Sequence, residues 1–133
     1  MDNYCLFCDK DNFKEHAIIY ENDLFYARWD NMPVSDGHAE VVPKKHVESF
    51  FDLTDKELIQ LFDLIKKLKD IIQEKYHPDA FNIGINDGEA AGRSIHHLHV
   101  HVIPRYKGDV ENPRGGVRNV IPGKGNYTEK DRH

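Results

Sequence analysis

The chain has 133 residues, 39 % of them hydrophobic and 31 % charged, with a formal net charge of −5. That length suits one domain with a modest core, and the acidic balance argues against a general nucleic-acid binder. No apolar run approaches membrane length, and the leading "MDNYCLFCDK" has no signal-peptide h-region, so the expected location is the cytoplasm.

The first feature along the chain is Cys5-Leu6-Phe7-Cys8, which contains both cysteines of the sequence. In a reducing compartment such a pair reads as a metal clip or a redox pair before it reads as a structural disulfide. A thioredoxin-like role fits least, because no helical pattern follows Cys5 in a βαβ context. Ala17 to Glu21 and Leu24 to Trp29 are short β-prone runs split by Asn22-Asp23, which predicts a hairpin. "PVSDGH" is a turn, and "HAEVVPKKH" is a third strand ending near Pro43. Thr54-Asp55-Lys56-Glu57 is a capping box, in which the Thr hydroxyl and the Glu carboxylate satisfy each other's backbone N–H groups. In the helix that follows, Leu58, Leu61, Phe62, Ile65, Leu68 and Ile72 recur at helical spacing. Pro78 sets its end near Tyr76. Phe81 to Asn86 alternates as a fourth strand, "NDGEAAG" is a loop, and His97 to Ile103 is a fifth strand. The expected fold class is therefore α+β, a mainly antiparallel five-stranded sheet with one long and one short helix.

From Pro104 onward there are seven Lys/Arg against four Asp/Glu, so this tail carries +3 and the rest of the chain −8. The same thirty residues hold five Gly and three Pro and are expected to be largely irregular, with "GGVRNVIP" able to pair locally. A basic tail on an acidic body suits a phosphate or another subunit, and it suits a solvated face equally well. Residues 1–133 are expected to form a single domain with this tail beginning near 104.

"SIHHLHVHVIPRY", from Ser94 to Tyr106, holds four of the nine histidines. In a strand His97, His99 and His101 would share one face at intervals of ~6–7 Å, with Leu98, Val100 and Val102 toward the core. Such a row suits two chemistries. Imidazoles can converge on a metal ion, although no carboxylate follows closely to complete a hydrolytic centre. Alternatively a neutral imidazole attacks phosphorus while its neighbours hold phosphate oxygens or protonate the leaving group. Just upstream, "GEAAGRS" superficially resembles a P-loop. It is one residue short, has Arg93 in place of Lys, and leads into a strand. It serves equally as a glycine-bearing turn whose N–H groups approach an anion or as a plain connection.

His97-Leu98-His99-Val100-His101-Val102-Ile103 fits the pattern His-φ-His-φ-His-φ-φ, with φ apolar, and so resembles the histidine triad superfamily. "CLFC", "DNMPVSDGHAEVVPKKH" and "NIGINDGEAAGRSIHHLHVHVIPRY" resemble it too, in the same order. The chain looks most like the microbial branch related to dinucleoside polyphosphate hydrolases, and more loosely like the nucleoside phosphoramidases. The resemblance implies a nucleotidyl hydrolase or transferase acting on a nucleotide conjugate such as diadenosine tetraphosphate. In it His99 attacks the α-phosphate to give a nucleotidyl-imidazole intermediate, and His97 completes the triad. It implies phosphate contacts from His101 and His38, a hydrogen bond from Ser94 at the scissile region, Asp30 on the ribose and Asn86 on the phosphate. Arg93 departs from the Gln that the superfamily often places before the Ser/Thr, which bears on the leaving group. The resemblance further implies a structural zinc held by Cys5, Cys8, His46 and His97, with His16 as an alternative ligand. It also implies a two-fold homodimer with the two sheets continuous or nearly so. In such a dimer the charge of the tail gives Arg105, Lys107, Arg114, Arg118 and Lys124 a place across the partner near its phosphate site, and a solvent-exposed tail is the alternative. A nucleotide-binding module with little turnover is the alternative, and the intact triad favours the enzyme.

Overall fold

The computed structural model describes residues 5–8 and 17–127, and His16 lies outside the described residues. Five strands, β1 (Ile18–Glu21), β2 (Phe25–Trp29), β3 (Ala39–Pro43), β4 (Ala80–Gly84) and β5 (Val100–Arg105), form one antiparallel sheet in the order β1-β2-β3-β5-β4. One helix, α1 (Asp55–Tyr76), covers one face. The other helical segments among the described residues are 3₁₀ turns of three to five residues, so the expected short helix is represented there by turns only.

Local chemistry explains the boundaries. The Asn22 side-chain oxygen accepts from the N–H groups of Leu24 (3.2 Å) and Phe25 (2.9 Å), closing the β1–β2 hairpin. Thr54 Oγ1 accepts from Glu57 N–H at 3.2 Å and Glu57 Oε1 from Thr54 N–H at 2.9 Å, so the predicted capping box is formed. At the other end of α1, His77 takes a left-handed conformation (φ 53°) immediately before Pro78.

The core lies between α1 and the sheet. Leu61, Leu64, Leu68 and Ile72 of α1 pack on Phe25, Ala27, Ala39, Val41, Leu98, Val100 and Val102. Burying each of the larger side chains stabilises the fold by roughly 1.5–3 kcal/mol. The helix face departs from the expected one. Phe62 is 60 % exposed, and Leu64 takes its place in the core. Phe62 follows Leu61 by one residue, a rotation of about 100°, which carries it off the stripe that Leu61, Leu64, Leu68 and Ile72 define.

The opposite face of the sheet has its own layer. Phe7, from the turn between the cysteines, packs on Tyr26 and Val42, with Leu6, Ile18 and Ile95 around them. The sequence differs from the observed strands in two places. β4 ends at Gly84, before Asn86, and β5 begins at Val100, three residues after His97. Leu98 N–H goes to the carbonyl of Val47 (2.6 Å), outside the sheet, and His97 is drawn toward the cysteines. The "GGVRNVIP" segment does not pair as a strand. It forms a 3₁₀ turn, Gly116–Val120, against β4.

Candidate active site

The face with the Phe7 layer also carries a row of polar side chains. Arg28 on β2 stands opposite Glu40 on β3, and Glu40 opposite His101 on β5. Period-two alternation puts Asp30 and His38, two residues further along, on this same face. His38 is set by the preceding turn. Gly37 has φ 89°, and a β-carbon there would lie 2.7 Å from the Tyr76 ring, so the turn can hold only glycine.

Backbone partners fix the protonation pattern of the histidines. His38 Nδ1 accepts from Val34 N–H at 3.2 Å, so the proton of its neutral ring sits on Nε2. His38 Nε2 therefore donates to His101 Nδ1 at 2.9 Å, which leaves the His101 Nε2–H free to donate. His99 Nδ1 lies 2.8 Å from the carbonyl of His97, which can only accept. The His99 proton is therefore on Nδ1, and Nε2 keeps its lone pair. His97 Nε2 donates to the carbonyl of Pro43 at 2.8 Å, which frees His97 Nδ1.

The surroundings keep these rings neutral. Burial pulls His99 below the ordinary imidazole value, partly countered by the His97 carbonyl, with Arg28 and Arg93 acting in the same sense as burial. Burial, with help from His99 and His38, takes His101 down to about 4. His38 is lowered by burial against the opposing charge of Asp30. Beneath His101 the buried Glu40 carboxyl is pushed up to about 8 by burial and by Asp30, with which it shares a hydrogen bond. Arg28 Nη1 stands 3.6 Å from Glu40 Oε1 and lowers it only in part.

Asp30 lies 3.5 Å from His38 Nε2 and caps the following turn by accepting from Met32 N–H at 2.8 Å. Asn86 and Ser94 are exposed on the segments flanking the loop. The Arg93 side chain is 14 % exposed. It donates to His96 Nδ1 (3.2 Å) and to Glu48, tying the loop to residues 48–50 together with Asp87, which binds Ser49 and Phe50.

His97 stands apart from the other two triad rings. Its Nδ1 is 3.2 Å from the sulfurs of both Cys5 and Cys8, and Cys8 Sγ is 3.1 Å from His46 Nδ1. The four donor atoms all lie within 4.8 Å of one another. The donor set fits a tetrahedral metal ion of the zinc type, whose Zn–S of ~2.3 Å and Zn–N of ~2.0 Å place donors roughly 3.5 Å apart. His97 offers a lone pair because its other nitrogen is engaged. Partial burial and the neighbouring Cys5 thiol push the Cys8 thiol up to about 11, and a divalent cation is what would reverse that. Two other groupings, Asp30–His38–His101 and Glu40–His99–His101, are close enough on distance alone. In both, His101 Nδ1 is taken up by the His38 Nε2 proton, so neither grouping offers more than one free imidazole lone pair.

Residues 12–108 match the family description "HIT domain". An uncharacterised HIT-like protein of Methanocaldococcus jannaschii is 40 % identical over 87 % of this chain and 91 % of its own length. The chain belongs to the histidine triad, or HIT, family. A HIT protein of Bacillus subtilis gives a solved structure at TM-score 0.73 and 35 % identity, covering 81 % of this chain and 77 % of that one. A zinc-bound histidine triad protein of Mycobacterium smegmatis gives 0.71 and 33 %, covering 79 % and 77 %. An asymmetrical bis(5'-nucleosyl)-tetraphosphatase of Schizosaccharomyces pombe is 39 % identical over 69 % of this chain, which spans half of the length of that enzyme. HIT proteins thus include nucleotide hydrolases.

Three residues of this HIT site escaped the sequence reading: Phe7, Arg28 and Glu40. Arg28 and Glu40 left a signal, two opposite charges in otherwise apolar β-prone runs that pair across a hairpin-like register. Phe7 left none.

Proposed function

We propose that this HIT protein is a nucleotidyl hydrolase or transferase that cleaves at the α-phosphate of a dinucleoside polyphosphate such as diadenosine tetraphosphate. The observation that carries this reading is the His99 Nδ1 contact with the His97 carbonyl, which leaves Nε2 with its lone pair in a ring 5.1 Å from that of His101. In the first half-reaction that nitrogen bonds to the α-phosphorus and the bond from phosphorus to the bridging oxygen breaks, releasing the rest of the substrate. His101, kept neutral and aligned by His38, donates its Nε2–H to a phosphate oxygen. In the second half-reaction water, or an acceptor such as phosphate, attacks the same phosphorus. The P–N bond breaks, and the nucleotide leaves with His99 restored. Splitting one displacement in two is the advantage of a nucleophile that is neutral and unprotonated at Nε2. Asp30, Asn86 and Ser94 complete the reading as ribose, phosphate and scissile-region contacts. His97 acts through its carbonyl and not as a phosphate ligand. Arg93, held by Glu48 and His96, is read as the cation that bears on the leaving group.

We further read Cys5, Cys8, His46 and His97 as holding a structural zinc. Residues 1–133 are read as one domain, acting as a homodimer in the cytoplasm, where two free thiols persist. The test of activity is a panel of dinucleoside polyphosphates and nucleoside phosphoramidates with products identified by mass. Nucleoside monophosphate from the polyphosphates, abolished in His99→Ala and only weakened in His101→Ala, is expected. Cleavage of phosphoramidates alone would move the assignment to a phosphoramidase, and binding without products would make the chain a nucleotide-binding module.

A further inference from the structure

We propose that Phe7 is a positioning residue for the His99 imidazole, so that filling the Cys5–Cys8 metal cluster and readying the nucleophile are one structural event. The inference rests on the reading of His99 as nucleophile and goes beyond it.

The observation is a juxtaposition. Phe7 sits between the two cysteines and is 1 % exposed. Its ring centroid lies 4.9 Å from that of His99, at an interplanar angle of 49°, and 6.0 Å from that of His97. The Arg28 guanidinium lies over the same ring at 5.4 Å. The Phe7 carbonyl accepts the Tyr26 hydroxyl at 2.7 Å, so the residue is held from the sheet side as well.

His99 needs such a wall. The bond from Nδ1 to the His97 carbonyl fixes one atom of the ring and leaves the ring free to pivot about that contact. An aromatic neighbour tilted against the ring restricts that pivot and so holds Nε2 in one direction. A displacement of about 1 Å at a reacting atom can cost on the order of 10²-fold in rate.

Phe7 in turn needs the cluster. It lies in a single 3₁₀ turn, Leu6–Cys8, closed by one Cys8 N–H to Cys5 carbonyl bond of 3.2 Å. So short a turn has little stability of its own. A metal bound to Cys5, Cys8, His46 and His97 would pin both ends of the turn to the body of the protein, because binding energy at a closed site is folding energy. The same metal would fix the His97 ring between Nδ1 and the Pro43 carbonyl, and hence the carbonyl that holds His99. Two links from one cluster therefore meet on one imidazole.

The test uses the full chain in its zinc-loaded form. First, proton NOEs between the Phe7 and His99 rings are recorded in loaded protein, in protein stripped by chelator and in a Cys8→Ser variant, with far-UV circular dichroism reporting α1. The NOEs are expected in the loaded form and lost in both others while the helix signal stays. Second, Phe7→Leu is compared with the parent for zinc content and for kcat and KM on diadenosine tetraphosphate. Retained zinc, KM within about twofold and kcat reduced roughly tenfold or more are expected. NOEs that survive metal removal, or an unchanged kcat in Phe7→Leu, would overturn the proposal. The two readings fail separately. Turnover in His99→Ala removes the nucleophile assignment, whereas the NOE series decides whether the cluster positions the ring.

Discussion

At the scale of single residues the site is a set of neutral imidazoles whose protons are assigned by backbone partners. Val34 N–H and the carbonyls of His97 and Pro43 decide which nitrogen of each ring is free. That detail was illegible in the sequence, since it depends on contacts made across the fold. The identity of the histidines was legible, because alternation with Leu98, Val100 and Val102 is visible in the chain, and those three are buried. The face that the three were expected to share holds only the His99 and His101 rings, 5.1 Å apart, because His97 turns to the cysteines. Glu40 gives the sharpest residue-level prediction. Its carboxyl is raised to about 8 in the fold, above the ordinary value of 4.5. The folded state therefore binds the proton more tightly than the unfolded chain. Its contribution is fully present below about pH 4.5 and is lost as pH rises to about 8. Glu40→Gln, a neutral isostere, should match the parent in urea unfolding near pH 4.5. It should then gain on the parent toward pH 8, by an amount on the order of a few kcal/mol. A stability difference that stays constant across that window would contradict the account.

Among the elements, α1 and the β1–β2 hairpin lie within about a residue of where the sequence puts them, because capping and turn chemistry are local. Thr54 with Glu57 starts the helix, and His77 before Pro78 ends it, as the sequence requires. Elements set by distant partners were read less well. β5 starts three residues later than the alternation suggests, since nothing within "HHLHV" says that Leu98 N–H goes to Val47. The tail turn Gly116–Val120 has no periodicity to announce it. The Cys5–Cys8 turn is the element with the largest consequence for so few residues. It is expected to hold one zinc per chain with His46 and His97, measured by elemental analysis of protein purified without chelator. Loss of the metal should lower thermal stability, because a closed site contributes folding energy. Absent zinc, or zinc retained in a Cys5→Ser/Cys8→Ser double variant, would count against the site.

The whole molecule is a sheet with α1 on one face and chemistry on the other. Among the described residues β1 and β4 are its edges, and beside the turn Gly116–Val120 that lies against β4, Ile83 of that strand is still 51 % exposed. An uncovered edge is a liability that pairing with a second copy relieves. We therefore expect a homodimer in sedimentation at micromolar concentration, and a monomer with full activity would refute it. The basic tail is less free to reach a partner than its charge suggests. Arg105 is bound to Asp109 and Asn82, and Arg114 and Arg118 stack on Tyr127. If truncation after Tyr106 leaves dimer mass and substrate affinity unchanged, the tail is neither interface nor phosphate clamp. No helix among the described residues is long and apolar enough to cross a membrane. The most direct test of the central claim is to quench zinc-loaded protein with diadenosine tetraphosphate within the first turnover, at alkaline pH where a P–N bond survives, and map the modified peptide by mass. The account predicts one nucleoside monophosphate unit on His99. Brisk turnover with His99 unmodified, or the adduct on another residue, would contradict it.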